Sequence, residues 1–235
     1  MDPEIVTVET TVGRGEGLFV TFEGGEGAGK TTQITRLADW LRGRGYDLVS
    51  TREPGGTQGA DAIRTLVLSG AAETLGTETE ALLFAAARLD HIELVIRPAL
   101  LRGAIVLCDR FHDSTRVYQG LAAGADAEFL RIVEDAVLED IRPSLTILLD
   151  LPAAMGLARA SARRGRDGVV DRFEREALER HEARRQGFLA IARAEPHRFV
   201  VIDAQQDADT VASSIMNAVS QRLQASSDMS VPTIA

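Results

Sequence analysis

Residues Gly24-Gly25-Glu26-Gly27-Ala28-Gly29-Lys30-Thr31 follow an apolar run ending at Glu23 and match in full the pattern glycine, four residues, glycine, lysine, serine or threonine. Placed between a strand and a helix, such a stretch turns successive backbone N–H groups toward one point, where the helix N-terminus adds partial positive charge. Glycine is needed wherever a Cβ would block a polyphosphate from approaching that backbone. The lysine brings a compact charge to the terminal phosphates, and the threonine hydroxyl a ligand for magnesium. Gly24, Gly25, Glu26, Gly27, Ala28, Gly29, Lys30 and Thr31 are therefore expected to hold a nucleotide. Of the 26 basic residues Lys30 is the only lysine. It stands where arginine's wide planar fork would fit poorly.

A second acid and a second cation come from Ile105-Val106-Leu107-Cys108-Asp109-Arg110, an apolar run that ends where ligands of open α/β sheets bind. Asp109 is read as the magnesium partner of Thr31, Arg110 as a phosphate clamp, and Cys108 as inert core. Residues 158–172 carry Arg159, Arg163, Arg164, Arg166 and Arg172 on an otherwise acidic chain. An arginine-rich lid over about 159–172 would close on migrating charge and exclude water. Arg175 and Arg180 are expected to pair with Glu174, Glu176 and Glu179 on a solvated face. Phe84 and Arg88, four residues apart, share one helix face. Together they could stack on and hydrogen-bond a nucleobase; taken alone, they read first as a core ring and a surface charge. His91, His112, His181 and His197 show no ligand spacing and receive no chemistry.

These groups must be positioned by a fold, and the pattern of the chain specifies one. Short apolar runs at 18–23, 47–51, 104–109, 145–150 and 199–203 read as buried strands. Amphipathic stretches at 30–43, 78–101, 127–140, 153–163, 172–194 and 208–223 read as helices. Strands that each need a crossover form a parallel sheet with helices on both faces, so the expected class is α/β with five strands. Excursions are expected at 52–59 and 164–171. Residues 1–16 read as a disordered leader, 17–223 as one domain and 224–235 as a disordered Ser-rich tail.

Composition narrows the function further. With 235 residues, 45% of them hydrophobic, the chain can bury a sizeable core. A net charge of -9 argues against coating nucleic acid through counterion release, so an anionic ligand must meet a local site. A single cysteine closes no internal disulfide, and no apolar stretch approaches the roughly 20 residues that span a bilayer. A cytoplasmic protein without membrane or nucleic-acid partners is expected. A GTPase switch would need Asn-Lys-x-Asp, but the only asparagine is Asn217 and the only lysine Lys30. Leu68-Ser69-Gly70 is read as a helix end capped by Gly70.

Assembled, the motifs resemble bacterial thymidylate kinases over nearly all of 18–223. The resemblance rests on Phe22-Glu23-Gly24 leading into the phosphate loop, Thr51-Arg52-Glu53-Pro54-Gly55-Gly56-Thr57, and Leu83-Phe84-Ala85-Ala86-Ala87-Arg88. It extends through Asp109-Arg110-Phe111-His112-Asp113-Ser114-Thr115 with Tyr118-Gln119-Gly120, Arg142-Pro143-Ser144-Leu145-Thr146, and Asp171-Arg172-Phe173-Glu174. It implies a P-loop nucleoside monophosphate kinase-like fold, a homodimer, and magnesium-dependent transfer of the γ-phosphoryl group of ATP to thymidine monophosphate. By the same resemblance Glu26 lies near acceptor and metal, Arg52 and Arg110 hold the acceptor phosphate, and Arg64 lines the same pocket. Phe84 stacks on thymine, Arg88 contacts its exocyclic oxygen, Thr115 and Gln119 meet its remaining polar edge, and Tyr118 sits by the sugar. Because Gly25, Glu26, Gly27 and Ala28 are not basic, the chain resembles the members that carry the catalytic arginine in the lid, with Arg159, Arg163, Arg164 and Arg166 as candidates. A cis Glu53–Pro54 bond would suit a rigid turn beside the acceptor.

Overall fold

A computed structural model describes residues 17–164, 173 and 176–229. The expected leader 1–16, the lid stretch 165–172 with Arg166 and Arg172, and residues 174, 175 and 230–235 lie outside the described residues.

Five parallel strands, β1 (Phe19–Glu23), β2 (Leu48–Arg52), β3 (Ile105–Asp109), β4 (Leu145–Asp150) and β5 (Phe199–Asp203), are ordered β2-β3-β1-β4-β5. Phe22 on β1 pairs with Asp109 on one side and Ile147 on the other. From β1 the chain crosses to the edge strand β2, returns to β3 beside β1, and then continues on the other side through β4 and β5. The crevice past the carboxyl end of β1 is therefore the switch point where such sheets bind ligands.

Alternation along each strand divides the core between the faces. Val20 and Phe22 of β1, with Ile105 and Leu107 of β3, pack on α1 (Lys30–Arg42) and α9 (Ala208–Met229) through Ile34, Leu37, Leu41, Ile215 and Val219. Phe19, Val106 and Cys108 face the other way, onto Ile92, Ile96, Phe111 and Leu138. Cys108 is buried in this layer, which raises its thiol pKa well above the ordinary value, in keeping with an inert core residue.

Between the strands run α2 (Gln58–Leu68), α3 (Thr77–His91), α4 (Arg97–Leu101), α5 (His112–Thr115), α6 (Ala127–Leu138), α7 (Ala153–Arg164) and α8 (Leu178–Ala194). The single helix expected at 78–101 is interrupted by a π turn, Ile92–Ile96. Pro98 at the start of α4 has no N–H for the regular ladder, and the wider turn absorbs the mismatch. The helix expected from residue 172 starts at Leu178, because Ala177 is extended (φ -64°, ψ 151°). α9 continues to Met229, past the expected end at 223 and into the segment read as a tail. α2 falls outside the amphipathic stretches read from the sequence, although the Leu68-Ser69-Gly70 string marks the end of a helix here; it buries Ala60 and Val67 and is started by the Thr57 hydroxyl, which accepts from Ala60 N at 3.0 Å. It ends at Ser69 and Gly70 (φ 88°), as the Leu-Ser-Gly string suggests. No described helix is long and apolar enough to cross a membrane.

Candidate active site

The phosphate loop is clamped from below. Gly27 has φ 68°, and a Cβ there would lie 2.0 Å from the Gly156 carbonyl oxygen; a Cβ on Gly156 would in turn lie 2.2 Å from the Glu26 carbonyl oxygen. Only two glycines let the loop sit on the first turns of α7. Gly29 (φ 95°) hands the chain into α1, whose first turn has neither an acid nor a side-chain cap, so its leading N–H groups remain for an anion. Lys30 Nζ arches back over the loop, donating to the carbonyls of Gly24 (3.0 Å) and Gly25 (3.2 Å). Burial, reinforced by Arg110, lowers its pKa. Thr31 Oγ1 donates to Asp109 Oδ2 at 3.2 Å, joining the loop to the end of β3.

A tight strap follows β3. Arg110 occupies the left-handed region at φ 69°, and the strap is tied to the end of β1 by Glu23. Glu23 accepts from Phe111 N at 2.9 Å and from the Ser114 hydroxyl at 2.7 Å. Complete burial outweighs Arg110 and these hydrogen bonds and pushes the Glu23 carboxyl up to about 7. The Arg110 guanidinium donates to Glu26 Oε1 at 2.7 Å and to Ser114 Oγ at 3.2 Å, and lies over the Tyr118 ring. Tyr118 Oη donates to the same Glu26 oxygen at 3.3 Å. Burial works against the Glu26 charge, but Arg110 and Lys30 overcome it and hold the carboxyl down at about 2. Burial also opposes the charge on Arg110, and Tyr118 and Glu26 outweigh it, so that guanidinium is held protonated more firmly than usual. Behind the strap Asp113 receives both ends of the Arg198 fork, at 2.7 and 2.8 Å, which fixes α5 to β5.

Opposite the loop lies a slot with ordered polar walls. The Glu53–Pro54 peptide is cis, as anticipated. Glu53, buried, accepts from Arg88 Nε at 2.8 Å and from His91 Nδ1 at 3.0 Å, and His91 Nε2 lies 2.7 Å from Thr51 Oγ1. A carboxylate only accepts, so Nδ1 carries the proton and Nε2 can accept from the Thr51 hydroxyl. Arg88 Nη2 also donates to Thr115 Oγ1 at 3.1 Å. Arg64 reaches the Pro54 carbonyl at 2.8 Å, while Arg52, more than half exposed, lies 3.5 Å from Asp61. Gln119 Nε2 donates to Glu80 Oε1 at 2.6 Å.

Loop, strap and slot enclose one cavity of about 290 Å³. Its lining holds Glu26, Gly27, Ala28, Gly29, Lys30, Thr31, Arg52, Arg64, Phe84, Arg88, Asp109, Arg110, Thr115, Tyr118 and Gln119. Residues separated by up to 93 positions, read from spacing and resemblance, thus share one surface. Phe84 and Arg88 are not the core-and-surface pair their spacing first suggests: both line the cavity, and Arg88 is buried. Arg159 is not on this surface; its Nη1 donates to the Ala204 carbonyl past β5 at 2.9 Å. Arg163 and Arg164 end α7, and their side chains lie outside the described part of the structure. Arg180 pairs with Glu176 at 3.8 Å on an exposed face, as expected.

Reading the sequence missed Glu53, Glu80, His91, Ser114 and Phe173. His91 sits three residues after Arg88, and Glu80 four before Phe84, so helical spacing places them near that face. Nothing in the spacing reveals that their partners are Glu53 and Gln119, on other elements.

The thymidylate kinase family model matches residues 22–215. A thymidylate kinase of Caulobacter vibrioides is 55% identical over 208 residues, covering 88% of this chain and 98% of that protein. A thymidylate kinase of Bartonella quintana is 54% identical over 201 residues, covering 86% and 94%. A crystal structure of thymidylate kinase from Ehrlichia chaffeensis superposes with a TM-score of 0.70 at 32% identity, over 87% of this chain and 99% of that one. The matched region runs from the end of β1 through the first turns of α9 and so contains every wall of the cavity, which makes this chain a member of the thymidylate kinase family.

Proposed function

We infer that the protein transfers the γ-phosphoryl group of ATP to dTMP, giving ADP and dTDP on the route to dTTP. The observation that supports this best is the shared cavity: a phosphate loop and an aromatic slot with fixed polar walls open into one space, joined by the Arg110–Glu26 pair. Both substrates are anions, so the chemistry reduces to alignment and charge neutralisation.

In this reading the loop from Gly24 to Thr31 holds the ATP phosphates, and Lys30 turns from the loop carbonyls to the terminal phosphates. Phe84 covers the thymine ring, Arg88 donates to its exocyclic oxygen, and Thr115 and Gln119 face its remaining edge. Tyr118 stands by the sugar. Arg52, Arg64 and Arg110 receive the acceptor phosphate. An oxygen of that phosphate attacks the γ-phosphorus in line as the bond to the bridging oxygen breaks and ADP departs. The acceptor phosphate is already largely dianionic near pH 7. No base is required of Glu26, which stays ionised and instead anchors Arg110 beside the transferred group.

Thr31 and Asp109 present hard oxygen donors side by side, the set magnesium takes next to nucleotide phosphates. We assign them to that ion, which when bound would neutralise charge on the phosphate oxygens. Of the lid candidates, Arg159 is engaged with Ala204, so the catalytic arginine is sought among Arg163, Arg164 and Arg166. A homodimer is supported by α3, which leaves Leu82 and Leu89 exposed two turns apart, beside α2 with exposed Leu66. Sedimentation of the Leu82→Asp, Leu89→Asp double variant tests it. A cytoplasmic location fits a chain whose one thiol is free and buried.

The functional test is ADP release with ATP and magnesium against dTMP, dUMP, dCMP, AMP and GMP, with a control lacking acceptor. Strong preference for dTMP is expected. Equal release without acceptor would make the protein an ATPase on this fold.

A further inference from the structure

The slot carries two polar side chains of different character. Arg88 can only donate. Gln119 has an amide nitrogen and a carbonyl oxygen, which a half-turn about its last bond exchanges at little steric cost. Gln119 lines the cavity and is buried, and Glu80, also buried, lies behind it on α3 without lining the cavity. Their contact is 2.6 Å. Because the Glu80 carboxylate offers only acceptors, the Gln119 nitrogen must face it, which leaves the carbonyl oxygen as the amide atom presented to the cavity. Arg88 is held just as firmly, by Glu53 and Thr115.

We propose that Glu80 is the residue that sets base specificity, by locking Gln119 as an acceptor beside the fixed donors of Arg88. Thymine offers an acceptor at O4 next to a donor at N3–H, and the order in the slot is its complement. Cytosine offers a donor at N4 next to an acceptor at N3, so each wall group meets its own kind. A buried site built for one hydrogen-bonding order rejects the reverse because both wall groups are left unpaired. Without Glu80 the amide would turn to suit either base.

This proposal rests on the assignment of Gln119 to the base edge, so the experiment tests the two separately. The KM for dTMP, the KM for ATP and the inhibition constant of dCMP against dTMP are measured in Gln119→Leu, Glu80→Gln and Glu80→Asp, each checked for folding by thermal melting. Gln119→Leu should raise the KM for dTMP about tenfold and leave that for ATP within about twofold. Glu80→Gln, which offers both a donor and an acceptor, should narrow the dTMP-to-dCMP preference about tenfold, with kcat changed much less than KM. Glu80→Asp, still acceptor-only, should keep the preference within about threefold of the wild type. If Gln119→Leu acts as expected while Glu80→Gln leaves the preference unchanged, the role of Glu80 is overturned and the base-edge assignment stands. If Glu80→Asp collapses the preference as far as Glu80→Gln, packing rather than polarity is responsible, and the proposal fails. If Gln119→Leu leaves the KM for dTMP unchanged, the base-edge assignment falls and the proposal with it.

Discussion

Glu26 and Arg110 meet at 2.7 Å across the cavity, one from the phosphate loop and the other from the strap after β3, and each holds the other in its charged form. Replacing the carboxylate should therefore cost more than its own charge. Glu26→Gln keeps the shape but weakens the hold on Arg110, which sits in a left-handed backbone conformation and has only Ser114 as its other side-chain hydrogen-bond partner among the described residues. We predict a fall in kcat of about a hundredfold. The KM for ATP should change little, and the melting temperature should stay within a few degrees of the wild type. A kcat within about threefold of the wild type would remove Glu26 from the positioning of Arg110.

Gly156 lies outside the phosphate loop and carries no functional group, yet its missing Cβ is what seats the loop. In Gly156→Ala the new methyl would stand 2.2 Å from the Glu26 carbonyl oxygen, which is backbone and must move with the whole turn. We predict that the KM for ATP rises about tenfold and kcat falls, while equilibrium binding of dTMP alone is kept. Titration calorimetry with each nucleotide separates the two. Equal losses for both would mean that the substitution disturbs the fold rather than the loop.

The five strands and the phosphate loop were legible because each is a local pattern: short apolar runs such as Phe19 to Glu23, buried throughout, and one glycine-rich string before Lys30. For α2 only the C-terminal end at Leu68-Ser69-Gly70 was read, and the π turn before α4 arises from a register conflict at Pro98 that the apolar period conceals. Among the residues of the motif strings, those whose own chemistry faces a nucleotide received roles, while Glu23, Glu53 and Ser114 in the same strings did not. The groups that hold the site in place, Glu23 under the strap, Glu80 behind Gln119 and His91 beside Glu53, were missed, because their partners lie 38 to 91 positions away and only the sheet order brings them together.

His91 illustrates what that omission conceals. It is fully buried, donates to Glu53, and does not line the cavity, so it acts on substrate only through Glu53, which does line it, and the Arg88 that Glu53 holds. His91→Leu leaves one oxygen of a buried carboxylate without its donor, an expected loss of about 1–3 kcal/mol in stability. Freed on that side, Glu53 no longer fixes the Arg88 guanidinium. We predict a rise of about tenfold in the KM for dTMP, no more than a twofold change for ATP, and partial recovery in His91→Asn, whose amide can restore the donor. Stability loss without the split between the two Michaelis constants would leave His91 a packing residue only.

Glu23 gives a pH signature that is independent of turnover. Its carboxyl is raised from the ordinary 4.5 to about 7 by burial, so between these values the unfolded chain has released a proton that the folded protein still holds. Stability from this group is complete below about pH 4.5, falls as the pH rises toward about 7, and stays lost above it. A shift of that size corresponds to something on the order of 3 kcal/mol. Glu26 and Asp113, both held at about 2, act in the opposite sense and only below pH 4.5. His112, whose pKa is lowered by burial, adds a pH dependence of its own, which is common to the wild type and the variant. The quantity to read is therefore the difference between the wild type and Glu23→Gln, whose amide can still accept from Phe111 N and donate to the Ser114 hydroxyl. Urea midpoints at pH 5, 6, 7 and 8 should show the variant gaining steadily on the wild type and levelling off near pH 8. A constant difference across the series would mean that Glu23 ionises as an ordinary carboxyl, and that the strap is held by a charge rather than by a proton shared out with pH.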